Sequence, residues 1–534
     1  MFKGEYQQAV DDAKIRAKAF FWKIYSSHLV LSHEDTVRLN ERYLKSIGVS
    51  KTLVIDSDLG TGKTGWFYNQ VIKDAPLGRQ VVCLNPRRSL AKATAKRFGI
   101  VDYEDAKKER IDCRLMSLCI NSSLQLINPS EPLDVVFMDE SDLLIQHLLG
   151  GAVPDKIREE LIYHNLEMVG NASHVIRAQP LVSDLTLKFL SLAGRENPVK
   201  VVNIYPPWKG LPIDFFRKRD KALERLLDIA EQGTPFLCPC NSSNQALRIY
   251  LTLQKRFPEK NYLLITQAVA TEPEQSAFLA EPNKHADKYD GVIFSPSMET
   301  GVSVDSQHFK ETVGFCSATE GVGTPEAFVQ MMMRGRKTKR ISLWVDPQKH
   351  HLPTTDEGCA AEAIGRFKVM AQIFEQEGKK SAVFEITPAV ELAIKAQAIQ
   401  NKSKNRTDQA VYALLTERTG CEVNLIDSEP SKLGVEANKE GRKLQKEQYQ
   451  AEVESAAKLT EVEYERLSEK KTLSLNETWA MRRYRLESEL CVDLEQVADK
   501  PALFEFWNQG RILHAIRGFE EGLLTEEQAK GQCH

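Results

Sequence analysis

No zinc-ligand pattern runs through this chain. Its ten cysteines include no C-x-x-C pair, and Cys238-Pro239-Cys240 is spaced too tightly for the usual ligand pair. Cys83 and Cys238 sit in apolar, strand-like runs and read as core residues, the reduced thiols of a cytosolic protein. Basic excess is also missing: the net charge is −3, so any contact with nucleic acid must use local patches. No stretch approaches the ~18 uninterrupted apolar residues of a membrane span. The start, MFKGEYQQAVDDAKIRAKAFF, carries acidic residues and no signal-peptide apolar core, so the expected location is cytoplasmic. Neither a solenoid period nor a long low-complexity segment occurs.

What is present begins at Leu53 to Thr64, LVIDSDLGTGKT. An apolar run breaks at Asp56-Ser57 and is followed by Gly60-Thr61-Gly62-Lys63-Thr64. This predicts a buried strand, a Gly-rich turn and a helix start. Phosphate oxygens must approach the backbone closely, so side chains there must be absent or small. Successive N–H groups at the helix start then form an anion cradle. Lys63 supplies a point charge for β- and γ-phosphates, and the Thr64 hydroxyl is placed for Mg²⁺. Ser57 stands where a strict P-loop has glycine, a mild departure because serine is also small.

Downstream, RQVVCL (79–84) predicts a strand that runs into Asn85-Pro86-Arg87-Arg88 and a helix through Phe98. Arg87 and Arg88 at such a turn can meet a phosphate backbone; an ordinary loop with solvated arginines is the plainer alternative. The strand Leu133 to Met138 ends at Asp139-Glu140-Ser141-Asp142. An acidic pair there lies at the ligand edge of a parallel sheet. Asp139 can hold Mg²⁺ through water, and Glu140 can orient or deprotonate an attacking water. A helix cap is the bland alternative.

Alternating strands and helices predict a parallel α/β sheet. Prolines cluster at 195–212, which reads as a linker with a boundary near 208. A second α/β unit follows, with Asn241-Ser242-Ser243 read as the cap of a helix. From about 385 strand signals nearly vanish, and residues 436–471 are highly charged, as in an exposed helix. The expected organisation is a helical segment at 1–50, α/β units at 51–208 and 209–384, and an all-helical accessory domain at 385–534. Tyr43, just upstream of the P-loop, reads as a packing aromatic or, less often, an adenine-stacking one.

The order GTGKT, NPRRSLA, DESD, SPSMETGVSVD, QMMMRGR resembles motifs I, Ia, II, V and VI of superfamily 2 helicases, over roughly residues 50 to 345. The chain further resembles the helicase portion of plasmid and phage replication proteins, the origin-binding or cyanobacterial RepA-type group. The resemblance implies two tandem RecA-like lobes with ATP and Mg²⁺ bound between them. Lobe one would contribute Ser57, Gly60, Thr61, Gly62, Lys63, Thr64, Asp139 and Glu140. Lobe two would contribute Gln330 and Arg334, the latter as an arginine finger. A second motif VI arginine usually stands where this chain has Lys337, and Arg336 or Arg340 would substitute. Gly301 and Asp305 match the part of motif V that links nucleic acid to the ATP site. Ser297 and Thr300 of that loop would join Arg87 and Arg88 on the nucleic acid. Ser317-Ala318-Thr319 spells a motif III triad in the wrong place, and Arg177 to Leu181 occupies the expected one.

The expected function is an ATP-dependent DNA helicase or translocase in replication of a plasmid, phage or other mobile element, with a separate primase as a possible partner. The alternatives are an origin- or partner-binding ATP switch without processive unwinding, a helicase subunit of a defence system, and an RNA helicase.

Overall fold

The computed structural model describes residues 30–31, 52–58, 61–75, 78–109, 115–150, 153–203, 206, 208–298, 302–319, 323–376, 385–468, 470 and 473–507. Gly60, Thr300 and Gly301, Tyr43 and the helix expected near residues 38–47 lie outside them, as does the Ser297 side chain.

The first sheet has eight strands: β1 (Val30–Leu31), β2 (Thr52–Asp56), β3 (Val81–Asn85), β4 (Val101–Asp102), β5 (Leu115–Cys119), β6 (Val135–Asp139), β7 (His174–Gln179) and β8 (Val199–Asn203). Their spatial order is β1-β8-β2-β7-β6-β3-β5-β4. Every pairing is parallel. The second sheet has seven: β9 (Pro212–Phe216), β10 (Phe236–Pro239), β11 (Tyr262–Ile265), β12 (Gly291–Phe294), β13 (Glu311–Cys316), β14 (Arg340–Val345) and β15 (Glu422–Ile426). These run β11-β12-β10-β13-β14-β9-β15, again all parallel. Two parallel α/β lobes of the tandem RecA-like kind result. Parallel strands need covered faces, which explains the near-continuous burial of VVCLN and VVFMD.

Three elements differ from the sequence reading. Val199–Asn203 is a strand of the first sheet, not linker, and pairs with β2. Pro198 and the prolines beyond it mask its Val-Lys-Val-Val pattern. Asn241 does not cap the following helix. Its Nδ2 donates to Ser317 O at 2.7 Å and its Oδ1 accepts from Ser317 N at 2.7 Å, tying the ends of β10 and β13 together. Within the otherwise helical region after 385, Glu422–Ile426 adds an edge strand to the second sheet, beside β9.

The region after 385 also binds the lobes to each other. Leu392 and Ala396 of helix Pro388–Lys404 belong to the core of lobe one. Val411 to Leu415 belong to a core of lobe two. Helix Lys432–Ser455 packs on the outer helices of lobe two, and Val453 of it starts a small separate core with Leu486, Leu494 and Phe504. Seven of the eight described cysteines are buried free thiols, Cys83 and Cys238 within lobe cores; Cys491 is exposed.

One buried group stands out energetically. Arg177 on β7 is fully buried, and no nitrogen of its guanidinium has a hydrogen-bond partner. It lies 4.4 Å from the centre of the Phe189 ring. Burial pushes its pKa down to about 9, with Asp142 opposing. A cation–π contact does not replace the lost hydration of a guanidinium. Arg177→Met is therefore expected to raise stability in denaturant unfolding by about 1–4 kcal/mol. A destabilised variant would contradict this.

Candidate nucleotide site and inter-lobe cleft

All strands of lobe one point their C-terminal ends at one edge, where ligands bind in such sheets. There the chain leaves β2 at Ser57, whose N–H donates to Gln179 O at 3.1 Å at the end of β7. Gly62 has φ 89°, a conformation that glycine adopts without penalty, and the helix begins at Lys63. The Thr61 hydroxyl donates to Asp58 O at 2.6 Å and lies 2.7 Å from Ser57 Oγ. Lys63 Nζ donates to Ser57 O at 2.6 Å and Asp58 O at 3.0 Å, so the ammonium sits across the mouth of the loop. Burial lowers the pKa of this amine, while the charges of Glu140, Asp139 and Asp58 oppose that shift.

Packing fixes the loop against the acidic strand. Phe67, one turn into the helix, stacks on Phe137 of β6 with ring centres 3.8 Å apart. Such a pair is worth about 0.5–1.5 kcal/mol beyond its burial. The consequence is local: Thr64 Oγ1 donates to Asp139 Oδ2 at 3.0 Å. Burial raises the Asp139 pKa, and Lys63 and the Thr64 hydrogen bond counter it. A hydroxyl and a single carboxylate fit Mg²⁺, which takes few protein ligands and completes its shell with water and phosphate. Among the described residues no group of three or more His, Cys, Asp or Glu that could hold a metal ion assembles.

Glu140 has φ 54°, the left-handed region that only a few per cent of non-glycine residues occupy. Its N–H donates to Ala178 O at 2.8 Å, which holds the turn. Strain of this kind, of order 1–3 kcal/mol, collects at functional sites. Here the turn places Glu140 in a cleft of about 80 Å³ between the lobes. Gln179 joins it from β7, and Thr324, Glu326, Ala327 and Gln330 face it from lobe two. Gln179 Nε2 donates to Asp142 Oδ2 at 2.7 Å, and Ser141 Oγ donates to Gln179 Oε1 at 2.9 Å. Asp142 also accepts from Ser183 N, Thr186 N and the Thr186 hydroxyl. Asp142, the last acid of DESD, thus anchors a buried network that ends at the P-loop through Gln179 O.

Lobe two presents helix Pro325–Met332, started by Thr324, whose Oγ1 accepts from Ala327 N. Gly314 on β13 lets this helix sit close: a Cβ there would come within 2.1 Å of Met332 Sδ. Gln330 therefore reaches the Glu140 cleft. Arg334, just past the end of the helix, is buried and does not line that cleft. The segments around 304 and 335 do meet: Val304 N donates to Arg334 O, and Arg336 N to Val304 O, both at 3.0 Å. Asp305 and Arg336 face each other at 3.7 Å on the surface. Arg340 instead pairs with Asp214 at 2.5 Å.

A larger cleft of about 1080 Å³ spans both lobes. Lobe one lines it with Arg87 and His147, and lobe two with Asn241, Arg219, Arg248, Ser295, Ser317, Thr319 and Trp344 among others. Arg88 is exposed and acts electrostatically on Tyr103 and Cys119, away from this lining. Ser317 and Thr319 lie in this lobe-two wall, far along the chain from the Glu140 network. Burial and the neighbouring Arg87 lower the His147 pKa.

No family model matches the chain. It is 26% identical over 349 residues to an uncharacterized protein of Picosynechococcus sp., covering 59% of this chain and 34% of that one. It is 21% identical over 371 residues to a putative helicase/primase complex protein of African swine fever virus, covering 66% and 35%. The chain thus spans about a third of the length of these curated relatives. Among solved structures it is similar to S. cerevisiae Dbp5 bound to RNA and ADP BeF3, at TM-score 0.45 and 11% identity over 76% of this chain and 93% of that one. It is also similar to the helicase MrfA bound to DNA, at TM-score 0.43 and 14% identity over 62% and 51%. At these scores the likenesses bear no argument, and the fold rests on the topology itself.

Sequence reasoning missed Gln179, Arg219, Arg248 and Trp344 as site residues. A lone glutamine at the end of a strand has no local signature. The two arginines lie on separate helices and the tryptophan on β14, elements that only the fold of lobe two brings together. The edge of lobe one gathers Lys63, Thr64, Asp139 and Glu140 in one place.

Proposed function

We propose that this chain is an ATP-dependent helicase or translocase of superfamily 2 that acts on DNA, in the replication of a plasmid, phage or other mobile element. The observation that carries the reading is the meeting of Glu140 and Gln179 from lobe one with Gln330 from lobe two, beside Lys63, Thr64 and Asp139. A site divided between lobes converts binding and hydrolysis into lobe movement. The viral relative named as a putative helicase/primase complex protein supports the assignment, and the resemblance to RepA-type replication proteins supports the replication setting.

In this mechanism Lys63 exchanges its two loop carbonyls for β- and γ-phosphate oxygens. Mg²⁺ held by Thr64 and Asp139 would neutralise charge on those phosphates. Glu140 orients a water whose oxygen bonds the γ-phosphorus as the bond to the β–γ bridging oxygen breaks and ADP leaves. Gln330 contacts the same region from lobe two, and Arg334 reaches it only when the lobes close further. Asp305, Gly301 and Arg336 link that movement to the motif V loop. Arg87, with Ser297 and Thr300, holds phosphates of a single strand, so binding is sequence-tolerant and salt-sensitive.

A forked duplex tests this reading. ATP-dependent strand displacement on DNA is expected, lost in Glu140→Gln. Displacement on RNA forks alone would transfer the activity to RNA. ATP hydrolysis with no displacement on either would leave an ATP switch that binds an origin or a partner.

A further inference from the structure

The lobe-two wall of the larger cleft concentrates positive charge. Arg219 opens helix Arg219–Glu231, and its guanidinium lies 5.8 Å from the centre of the Trp344 ring. Arg248, on helix Ser243–Arg256, lines the same cleft. A third arginine arrives from outside the α/β lobes. Helix Lys432–Ser455 lies against both of those helices, and small residues allow the approach. A Cβ at Gly434 would meet Asp220 O at 2.3 Å, one at Gly441 would meet Thr252 Oγ1 at 2.5 Å, and Ala437 is fully buried between them. Asn438 Nδ2 donates to Asp220 Oδ1 at 2.7 Å, and Arg248 Nε donates to Gln445 Oε1. The docked helix holds Arg442 next to Gly441, where a Cβ would also meet Arg248 O at 3.1 Å, and its charge joins burial in lowering the pKa values of Arg219 and Arg248.

Among the described residues none of the three arginines forms an ion pair, although the same helix pairs its Glu440 with Lys255 and Arg256. Asp220 stands near Arg219 and Asp346 lines the cleft, but neither forms an ion pair with the three guanidinium groups, which repel one another and favour a polyanion. Arg87 stands on the lobe-one wall of the same cleft. Trp344, largely buried in a lobe-two core, lines the cleft beneath Arg219.

We propose that Arg219, Arg248 and Arg442 form a phosphate clamp for the backbone of single-stranded DNA, so that the accessory helix Lys432–Ser455 is part of the binding surface and not only a packing element. This rests on the larger cleft being the nucleic-acid path. The clamp reads phosphodiester charge and not base identity.

The test is the affinity of the full chain for fluorescein-labelled oligothymidylate by anisotropy over a salt series. Arg442 is exposed, so Arg442→Ala is expected to fold as the parent does, with thermal unfolding as the check. It should weaken binding and lower the slope of log K against log salt by about 0.7, the value for one lost phosphate contact on a single strand. Arg442→Glu should weaken binding more, and Arg442→Lys should restore most of it. Lys443→Ala, an exposed cation on the same helix, should leave the slope unchanged. Parent-like binding and slope in Arg442→Ala and Arg442→Glu, with Arg87→Ala still impaired, would overturn the clamp alone. Parent protein that binds no oligothymidylate would overturn the nucleic-acid path and the clamp with it.

Discussion

Lys63→Ala is expected to lower ATP hydrolysis by at least about 10²–10³-fold, the loss that follows removal of one preorganised group stabilising transition-state charge. The ammonium is the only cation that the P-loop itself supplies, and its two bonds to Ser57 O and Asp58 O place it where the phosphates would lie. Those bonds also help to hold the loop closed, so the variant is expected to lose a little stability as well. The magnitude is modest: the net worth of a hydrogen bond from a charged group is about 1.5–3 kcal/mol, less where water replaces it. Thermal unfolding beside the ATPase assay separates the two effects. A folded Lys63→Ala protein that hydrolyses ATP at the parental rate would remove the P-loop from the mechanism.

Arg418→Ala is expected to be the most destabilising single change near the site, by about 3–5 kcal/mol. Arg418 ends the helical turn Leu414–Arg418, which packs in lobe two, yet its guanidinium pairs with Asp56 of β2 at 2.5 Å. Side-chain exposure is 9% and 6% for the two partners, so solvent screens the pair little. Asp56 Oδ1 also accepts from Leu181 N at 3.1 Å. Truncating the arginine leaves a buried carboxylate with that one donor, which is why the loss should be large. Removing both charges, as Arg418→Met with Asp56→Asn, should recover most of it, and denaturant unfolding of the four proteins gives the coupling directly. A loss below about 1 kcal/mol in the single variant would show that the pair is solvated in solution. Because the pair joins the P-loop strand to lobe two, the single variant should also alter the ATP concentration needed for half-maximal hydrolysis.

The parts of the site legible in the sequence were those written within one turn of chain. Gly62-Lys63-Thr64 declares itself as a candidate because its glycine, cation and hydroxyl are adjacent in the chain at the end of an apolar strand. Asp139-Glu140 does so because an apolar strand ends there. Gln179 was not legible, because its worth comes from the register that sets Asp56 opposite Gln179 and Asp139 opposite Ala178. Arg418 lies 362 residues from its partner and carries no pattern of its own. The two parallel lobes followed from alternation, but Val199–Asn203 was lost among prolines. The sequence after 385 shows helices, but only packing reveals that Leu392 enters lobe one while Val411 enters lobe two.

The most direct test of the central claim is the ATPase rate with and without single-stranded DNA, single-stranded RNA and duplex DNA. Strong stimulation by single-stranded DNA, absent in Lys63→Ala, is the predicted result. Hydrolysis indifferent to every nucleic acid would contradict it.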